Sequence, residues 1–543
     1  MERVAVAVVN GRVWPGPPGR CGIAIAADRI VAVGTDDEIR GLAGPGTAMI
    51  DAAGGLIMPG FNDAHVHFLM GARNLRNLEL SGETTVDGIL KRVAGFAQAH
   101  KDRDWLLGRG WFYAVFPGGM PHRELLDRVV PDRPMAIEAY DSHTTWVNSA
   151  ALARLGITDD TADPPRGEIQ RDGAGHATGI LKEAAMELVE AALPRPTTAQ
   201  DVESLAKAAQ LAHRQGLTSV QDAGADLEQF ELYAALRAAG DPMVRIRLGL
   251  LMQPGLSMVD WERRLVEYER LALPHRGDPW ISTGIVKAFA DGVIETGTAA
   301  MLAPYERKRA SDPDALGHPQ WEPSELREAI RVADAAGWQV QIHAIGDAAV
   351  RTALDAYERA AATSGPRDRR HRVEHIETID ATDIPRFAAL GVVASMQPYH
   401  ADPEPAQLDL YTSMIGLDRA SRGWPWGSIR RAGGRLAFGS DWPIVSFDPF
   451  LGLNAAVNRT TRDGRPAGGW LPAERLTLAD ALAAYTSGSA WAAHQERDRG
   501  TLEPGMLADV VVLDRDLFTI PAGDIVNASI RATIVGGALV YEK

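Results

Sequence analysis

The chain predicts an α/β protein built on a (β/α)8 TIM-type barrel, and three observations point there. Eight short apolar runs, bounded by turn residues, recur through the centre of its 543 residues. Helix-period segments such as Ser324–Ala336 and Ala348–Ala361 stand between several of them, the alternation that parallel βα units produce. Six residues able to bind a metal ion lie at or beside the ends of five of those runs. Barrels of this class carry their active sites at the C-terminal ends of the strands.

The elements follow in order. Residues 1–58 are rich in Val, Ile, Ala and Gly, with turn signals at Asn10-Gly11, Pro15 to Gly19 and Asp36-Asp37. Val4–Val9, Gly22–Ala26 and Ile30–Val33 read as short strands. The far end is similar: Asp509–Leu513, then Ala532–Val535 and Ala538–Tyr541 joined by a Gly536-Gly537 hairpin turn. These two ends are expected to form one composite β-sandwich domain from residues 1–58 and 500–543, with the barrel over 59–499. Its eight expected strands are Leu56–Asn62, Thr218–Asp222, Ile246–Met252, Ile285–Ala290, Gln339–His343, Arg372–His375, Val392–Met396 and Leu436–Gly439. Roughly 150 residues separate the first two, far more than a loop needs. An insertion after barrel strand 1, at about 75–215, is therefore expected to carry its own structure.

Composition narrows the function. A net charge of −15 disfavours nucleic acid and anionic membranes as partners. Cys21 is the only cysteine, so neither an intrachain disulfide nor a sulfur-rich metal site is possible. The apolar run Ala5–Val9 is too short for a signal segment, and no run of about 18 apolar residues occurs. A cytoplasmic location is expected.

His65 and His67 occupy i and i+2 of one strand end, so both imidazoles point to the same side. Lys287 sits inside the apolar run Gly284-Ile285-Val286-Lys287-Ala288-Phe289. Buried there, its ammonium is costly and tends to lose its proton. A neutral amine can add carbon dioxide, giving a carbamate able to bridge two cations. Pairing with Asp291 is the structural alternative. His343 and His375 each end a further strand, and neutral imidazole is a common zinc ligand. Asp441 follows the last strand, where a carboxylate can bind metal and accept a proton from water. Each residue alone has an ordinary structural explanation. Six together at one end of a barrel predict a metal-dependent hydrolase.

The segments PGFNDAHVHF (59–68), DSHTTWVNSAAL (141–152), GIVKAFADG (284–292), QIHAIGDAAV (341–350), RVEHIE (372–377), SMQPYH (395–400), FGSDWP (438–443) and LEPGMLADVVVLD (502–514) resemble the amidohydrolase superfamily. More narrowly they resemble its YtcJ-like (amidohydrolase 3) branch, which includes N-substituted formamide deformylases. The resemblance spans nearly the whole chain. It implies two divalent ions, usually zinc. His65, His67, Lys287 and Asp441 would hold one, and Lys287, His343 and His375 the other, with Lys287 N6-carboxylated and bridging. It also implies a homodimer.

The expected reaction is cleavage of a non-peptide C–N (amide) bond of a small-molecule substrate by metal-bound hydroxide. Asp441 would carry the proton, and His143 is a second catalytic candidate that would orient the substrate or polarise its carbonyl. Trp111, Tyr113, Trp146, Gln397, His400 and Trp442 are candidate substrate contacts, and Asp347 either orients His343 or caps a helix. Two other readings stand beside this one. A single-metal deaminase of the same superfamily would leave the bridging lysine without a task. A non-catalytic, metal-stabilised regulatory protein would not need Asp441.

Overall fold

The computed structural model describes residues 3–543 except 17–18, 20, 141–143, 165–166, 241–242, 307, 313 and the side chain of Ala114. The chain forms two compact units, one of Met1–Phe68 with Ala209–Lys543 and one of Leu69–Ala208.

The first unit contains an eight-stranded sheet in the order Phe61–Val66, Leu217–Ala225, Arg245–Leu251, Ile281–Phe289, Gln339–Ala344, Arg372–His375, Val393–Met396 and Arg435–Phe438. Its ladders are all parallel, as a TIM-type barrel requires. The last and first strands meet through their C-terminal ends. Asp63 Oδ1 accepts from the backbone N–H groups of Ser440 at 2.9 Å and His65 at 3.1 Å. The Asp441 N–H donates to the His65 carbonyl at 2.7 Å. Gly439 permits this approach, since a Cβ there would lie 2.5 Å from the His65 nitrogen.

The first expected strand, Leu56–Asn62, is in fact two. Leu56–Pro59 belongs to the terminal sheet and Phe61–Val66 to the barrel. Gly60 separates them, where a Cβ would come within 2.2 Å of the Thr218 side chain. Both pieces are buried along their full length, so the apolar run continues across the joint and reads as one strand.

The terminal strands differ from the expected sandwich in one respect. They follow a single sheet, ordered Ala538–Glu542, Ile530–Val535, Val510–Leu513, Leu56–Pro59, Val6–Val13, Cys21–Ala26 and Arg29–Thr35, with Ala48–Asp51 pairing beside Val6–Val13. Val6–Val13 is long enough to take Ala48–Asp51 along its first half and Leu56–Ile57 along its second. The pairing shifts between Val8 and Gly11, a bulge that bends a strand. Val8, Ile23, Ile57, Val512 and Ile534, from strands spread across that sheet, pack in one core. The ion pair of Arg245, on the third barrel strand, with Asp509 ties the sheet to the barrel, at 2.7 and 2.9 Å and buried on both sides.

The second unit has its own six-stranded sheet and a helix, Val86–Ala99, with one buried face. Trp111, Phe116 and Trp146 pack in its core, and Trp111 Nε1 donates to the Ile137 carbonyl at 2.9 Å.

Candidate metal centre

Five barrel strands bring the six expected ligands to one end. His65 and His67 come from the first strand and its exit, Lys287 from the fourth, His343 from the fifth, His375 from the sixth, and Asp441 follows the eighth. Asp441 Oδ1 lies 3.4 Å from His65 Nε2 and 3.3 Å from His67 Nε2. Lys287 Nζ lies 3.4 Å from His65 Nε2 and 4.5 Å from the centre of the Phe289 ring. The His375 ring centre stands 4.9 Å from that of His65 and 4.5 Å from that of His343.

Two ligands depend on unusual backbone. Arg372 and Glu374 share a strand face, as i and i+2 must, so an extended His375 would face the other way. Left-handed φ values of 72° at His375 and 54° at Ile376 break that alternation, and Asp441 has φ 66°. Non-glycine residues in this region carry strain of order 1–3 kcal/mol each, and such strain clusters at functional sites.

The polar groups behind the ligands set their tautomers. Glu374 Oε2 lies 2.6 Å from His65 Nδ1. A carboxylate can only accept, so Nδ1 carries the hydrogen and Nε2 turns its lone pair toward Lys287 and Asp441. Glu374 is itself paired with Arg372 Nε at 2.9 Å, and neither side chain is exposed. Arg372 also donates to Gln221 Oε1 at 2.6 Å and Ser395 Oγ at 2.7 Å. His343 Nε2 faces the Gly292 carbonyl at 3.1 Å, which leaves Nδ1 as its metal-facing nitrogen. A hydrogen bond from the other ring nitrogen is the usual way a ligating histidine is oriented.

Electrostatics favour a cation here. Burial, reinforced by Lys287, holds His65 and His343 in the neutral form; His343 falls to about 4. Burial and the His343 ring do the same for His375. Burial also lowers Lys287 to about 8, against the nearby carboxylates of Glu374 and Asp441. Burial opposes ionisation of Asp441, but His65, His67 and His400 outweigh it and hold the carboxyl below its ordinary range. Asp441 Oδ1, His375 Nδ1 and His400 Nε2 are buried with no hydrogen-bond partner among the described residues. Neutral imidazoles, an anionic carboxylate and orphaned buried donor atoms form a set that fits divalent metal. Two groups bring their ligand atoms within 4.8 Å of one another: His65, His67 and Asp441, and His375, His400 and Asp441.

The remaining candidates fall in different places. His400 Nε2 is 3.6 Å from Asp441 Oδ2, beside the centre. Gln397 is 1% exposed, and neither its Nε2 nor its Oε1 has a hydrogen-bond partner among the described residues. Trp442 packs on Phe68 and Phe447. Trp111 and Trp146 are fully buried in the core of the second unit, which accounts for both as packing residues. Tyr113 in the same unit donates to Thr144 Oγ1 at 2.8 Å. His143 lies outside the described residues. Asp347 opens the helix Asp347–Ser364 and accepts from the Leu302 N–H at 2.8 Å, so it pins that helix. Asp291 accepts from the N–H groups of Ala300, Ile345 and Gly346, so it braces the loops beside the site instead of pairing with Lys287.

Residue-by-residue reading of the sequence missed Glu374, Arg372 and Glu377. The signal was present: two charged residues at i and i+2 of a strand that must be buried need partners.

Residues 48–541 match the Amidohydrolase family model. The chain belongs to the amidohydrolase family. Protein LONG AFTER FAR-RED 3 of Arabidopsis thaliana and YtcJ of Bacillus subtilis are each 32% identical to this amidohydrolase, over 98% and 92% of its chain and 91% of each of theirs. N-substituted formamide deformylase of Arthrobacter pascens is 28% identical over 96% of this chain and 95% of its own. The crystal structure of an uncharacterized metal-dependent hydrolase from Pyrococcus furiosus aligns with a TM-score of 0.72 at 26% identity, covering 94% of this amidohydrolase and 99% of that chain. Among the described residues, no helix is long and apolar enough to cross a membrane.

Proposed function

We propose that this amidohydrolase cleaves a non-peptide C–N bond, an amide, in a small molecule and uses two divalent ions, zinc by the character of the ligand set. The observation that carries the reading is Asp441. It is a buried anionic carboxylate shared by two ligand clusters, with Oδ1 toward His65 and His67 and Oδ2 toward His400. A purely structural site has no need of such a group.

His65, His67, Lys287 and Asp441 would hold one ion, and Lys287, His343 and His375 the other. When bound, the ions lower the pKa of a shared water and polarise the substrate carbonyl. Lys287, desolvated and biased toward its neutral amine, would add carbon dioxide and serve as the bridging carboxylate. Asp441 would take the proton of the attacking water at Oδ2. As the C–N bond breaks, Asp441 would deliver that proton to the leaving nitrogen, giving a carboxylic acid and an amine. Glu374 would keep the His65 tautomer fixed throughout.

The test is amine release from N-formyl amines, N-acyl amino acids and a hydantoin by zinc-loaded protein, against a chelator-stripped control. Metal-dependent release of acid and amine is expected. Exchange of Asp441 for Asn should lower kcat by roughly 10²–10⁴-fold while much of the metal stays bound. Full activity in that variant would remove Asp441 from the proton path. Metal-loaded protein that is silent on every amide would instead favour the regulatory reading.

A further inference from the structure

We infer that His400 is a metal ligand of this centre, joining His375 on the second cation, with Glu377 as the residue that fixes its ring. The inference rests on the two-metal reading above and adds to it a ligand from the end of the seventh strand, which otherwise supplies none.

Four observations meet at His400. One of its ring nitrogens, a ring nitrogen of His375 and a carboxylate oxygen of Asp441 all lie within 4.8 Å of one another. Its Nε2 is buried with no hydrogen-bond partner among the described residues and stands 3.6 Å from Asp441 Oδ2. Its ring lies nearly parallel to that of His375, with centres 5.9 Å apart and 19° between planes. Its other nitrogen, Nδ1, faces Glu377 Oε1 at 3.5 Å, and Glu377 is itself buried.

The last contact repeats a pattern already present in the centre. Glu374 orients His65 through Nδ1 and leaves Nε2 free for metal. Glu377, three residues along the same segment, faces the corresponding nitrogen of His400 at the longer distance of 3.5 Å. Carboxylate–histidine–metal arrangements of this kind fix the tautomer and raise ligand basicity. The segment Arg372 to Glu377 thus carries one ligand, His375, and the orienting carboxylates of two others. A histidine serving only to hydrogen-bond substrate would not need its nitrogen within ligand distance of both His375 and Asp441.

The experiment measures metal content and affinity, without reference to turnover. Zinc per chain is determined for the parent, His400→Ala, His400→Gln and Glu377→Gln, with affinity from chelator competition. Cobalt-substituted forms are compared by visible absorption, and thermal melts of the stripped chains check folding. The parent should hold two ions. Both His400 variants should lose the second ion or bind it at least roughly 100-fold more weakly, with a changed cobalt band. Glu377→Gln should weaken the same ion by roughly 10-fold or more, in line with loss of an orienting partner. Two ions held with parental affinity and an unchanged cobalt spectrum in the His400 variants would overturn the inference while leaving the two-metal hydrolase intact. A parent that takes up no metal would overturn both.

Discussion

Glu374→Gln probes whether a buried ionic network orients the metal centre. The Glu374 carboxylate serves Arg372 Nε at 2.9 Å and His65 Nδ1 at 2.6 Å, and all three side chains are fully buried. Glutamine has the same shape but no charge and only one accepting oxygen, so His65 Nδ1–H keeps an acceptor only if the amide NH2 is turned toward the Arg372 cation. The change also leaves the Arg372 charge without its counter-ion. Breaking a buried pair in this way costs about 3–5 kcal/mol. Arg372 keeps its bonds to Gln221 and Ser395, which places the loss at about 3 kcal/mol, the low end of that range. Metal affinity should also fall by roughly 10–100-fold, because His65 loses its orienting partner. Urea unfolding of the metal-stripped chains reads the first effect, and chelator competition the second. Replacing both partners, Arg372→Met with Glu374→Leu, should restore much of the stability but not the affinity. A Glu374→Gln variant that unfolds at the parental urea concentration and binds metal equally well would refute the argument.

Three further outcomes are expected. Gly439→Ala would put a Cβ 2.5 Å from the His65 nitrogen and 2.7 Å from Asp63 Oδ1; forcing the first and last barrel strands apart should cost about 1–3 kcal/mol and lower turnover roughly 100-fold, and a parental Tm with parental metal content would show that the strands yield freely. His213 is 1% exposed, and burial lowers its pKa from 6.5 to about 4, so its contribution is complete above pH about 6.5 and is lost as pH falls toward 4, up to about 3 kcal/mol. His213→Gln should flatten that part of the stability–pH curve, and an identical slope in parent and variant would exclude the residue as a source. Trp111→Ala should destabilise the second unit by about 3–5 kcal/mol, seen as faster hydrogen exchange across Leu69–Ala208; unchanged exchange with a raised KM for aromatic amides alone would make the ring a substrate contact.

The barrel was legible because most of its strands are buried apolar runs, and five of the eight end at or beside a residue able to bind metal. Lys287 stood out because an amine in the middle of Ile285–Phe289 has no solvent to reach, and the residue is fully buried. The expected boundary after residue 58 lies beside the joint at Gly60, but Leu56–Asn62 read as one strand because the residues on either side are equally apolar. The aromatic residues of the insertion were misleading, because a tryptophan in a core and one in a pocket carry the same letter. Trp111 and Trp146 proved to be core.

By itself the sequence determined the eight barrel strands, the six side chains that gather at one end of them and the chemistry that neutral imidazoles, a lysine and a carboxylate can support. These follow from local periodicity and residue type, which need no long-range information. Only the tertiary structure decided which groups stand behind the ligands. Glu374 reaches His65 across 309 positions of sequence, and Asp63 closes the barrel onto Ser440 across 377. The left-handed turns at His375 and Asp441 are likewise set by the packed barrel. A strand pattern predicts where a side chain starts, but buried polar groups must satisfy one another across the whole core, and that pairing exists only once the strands have met.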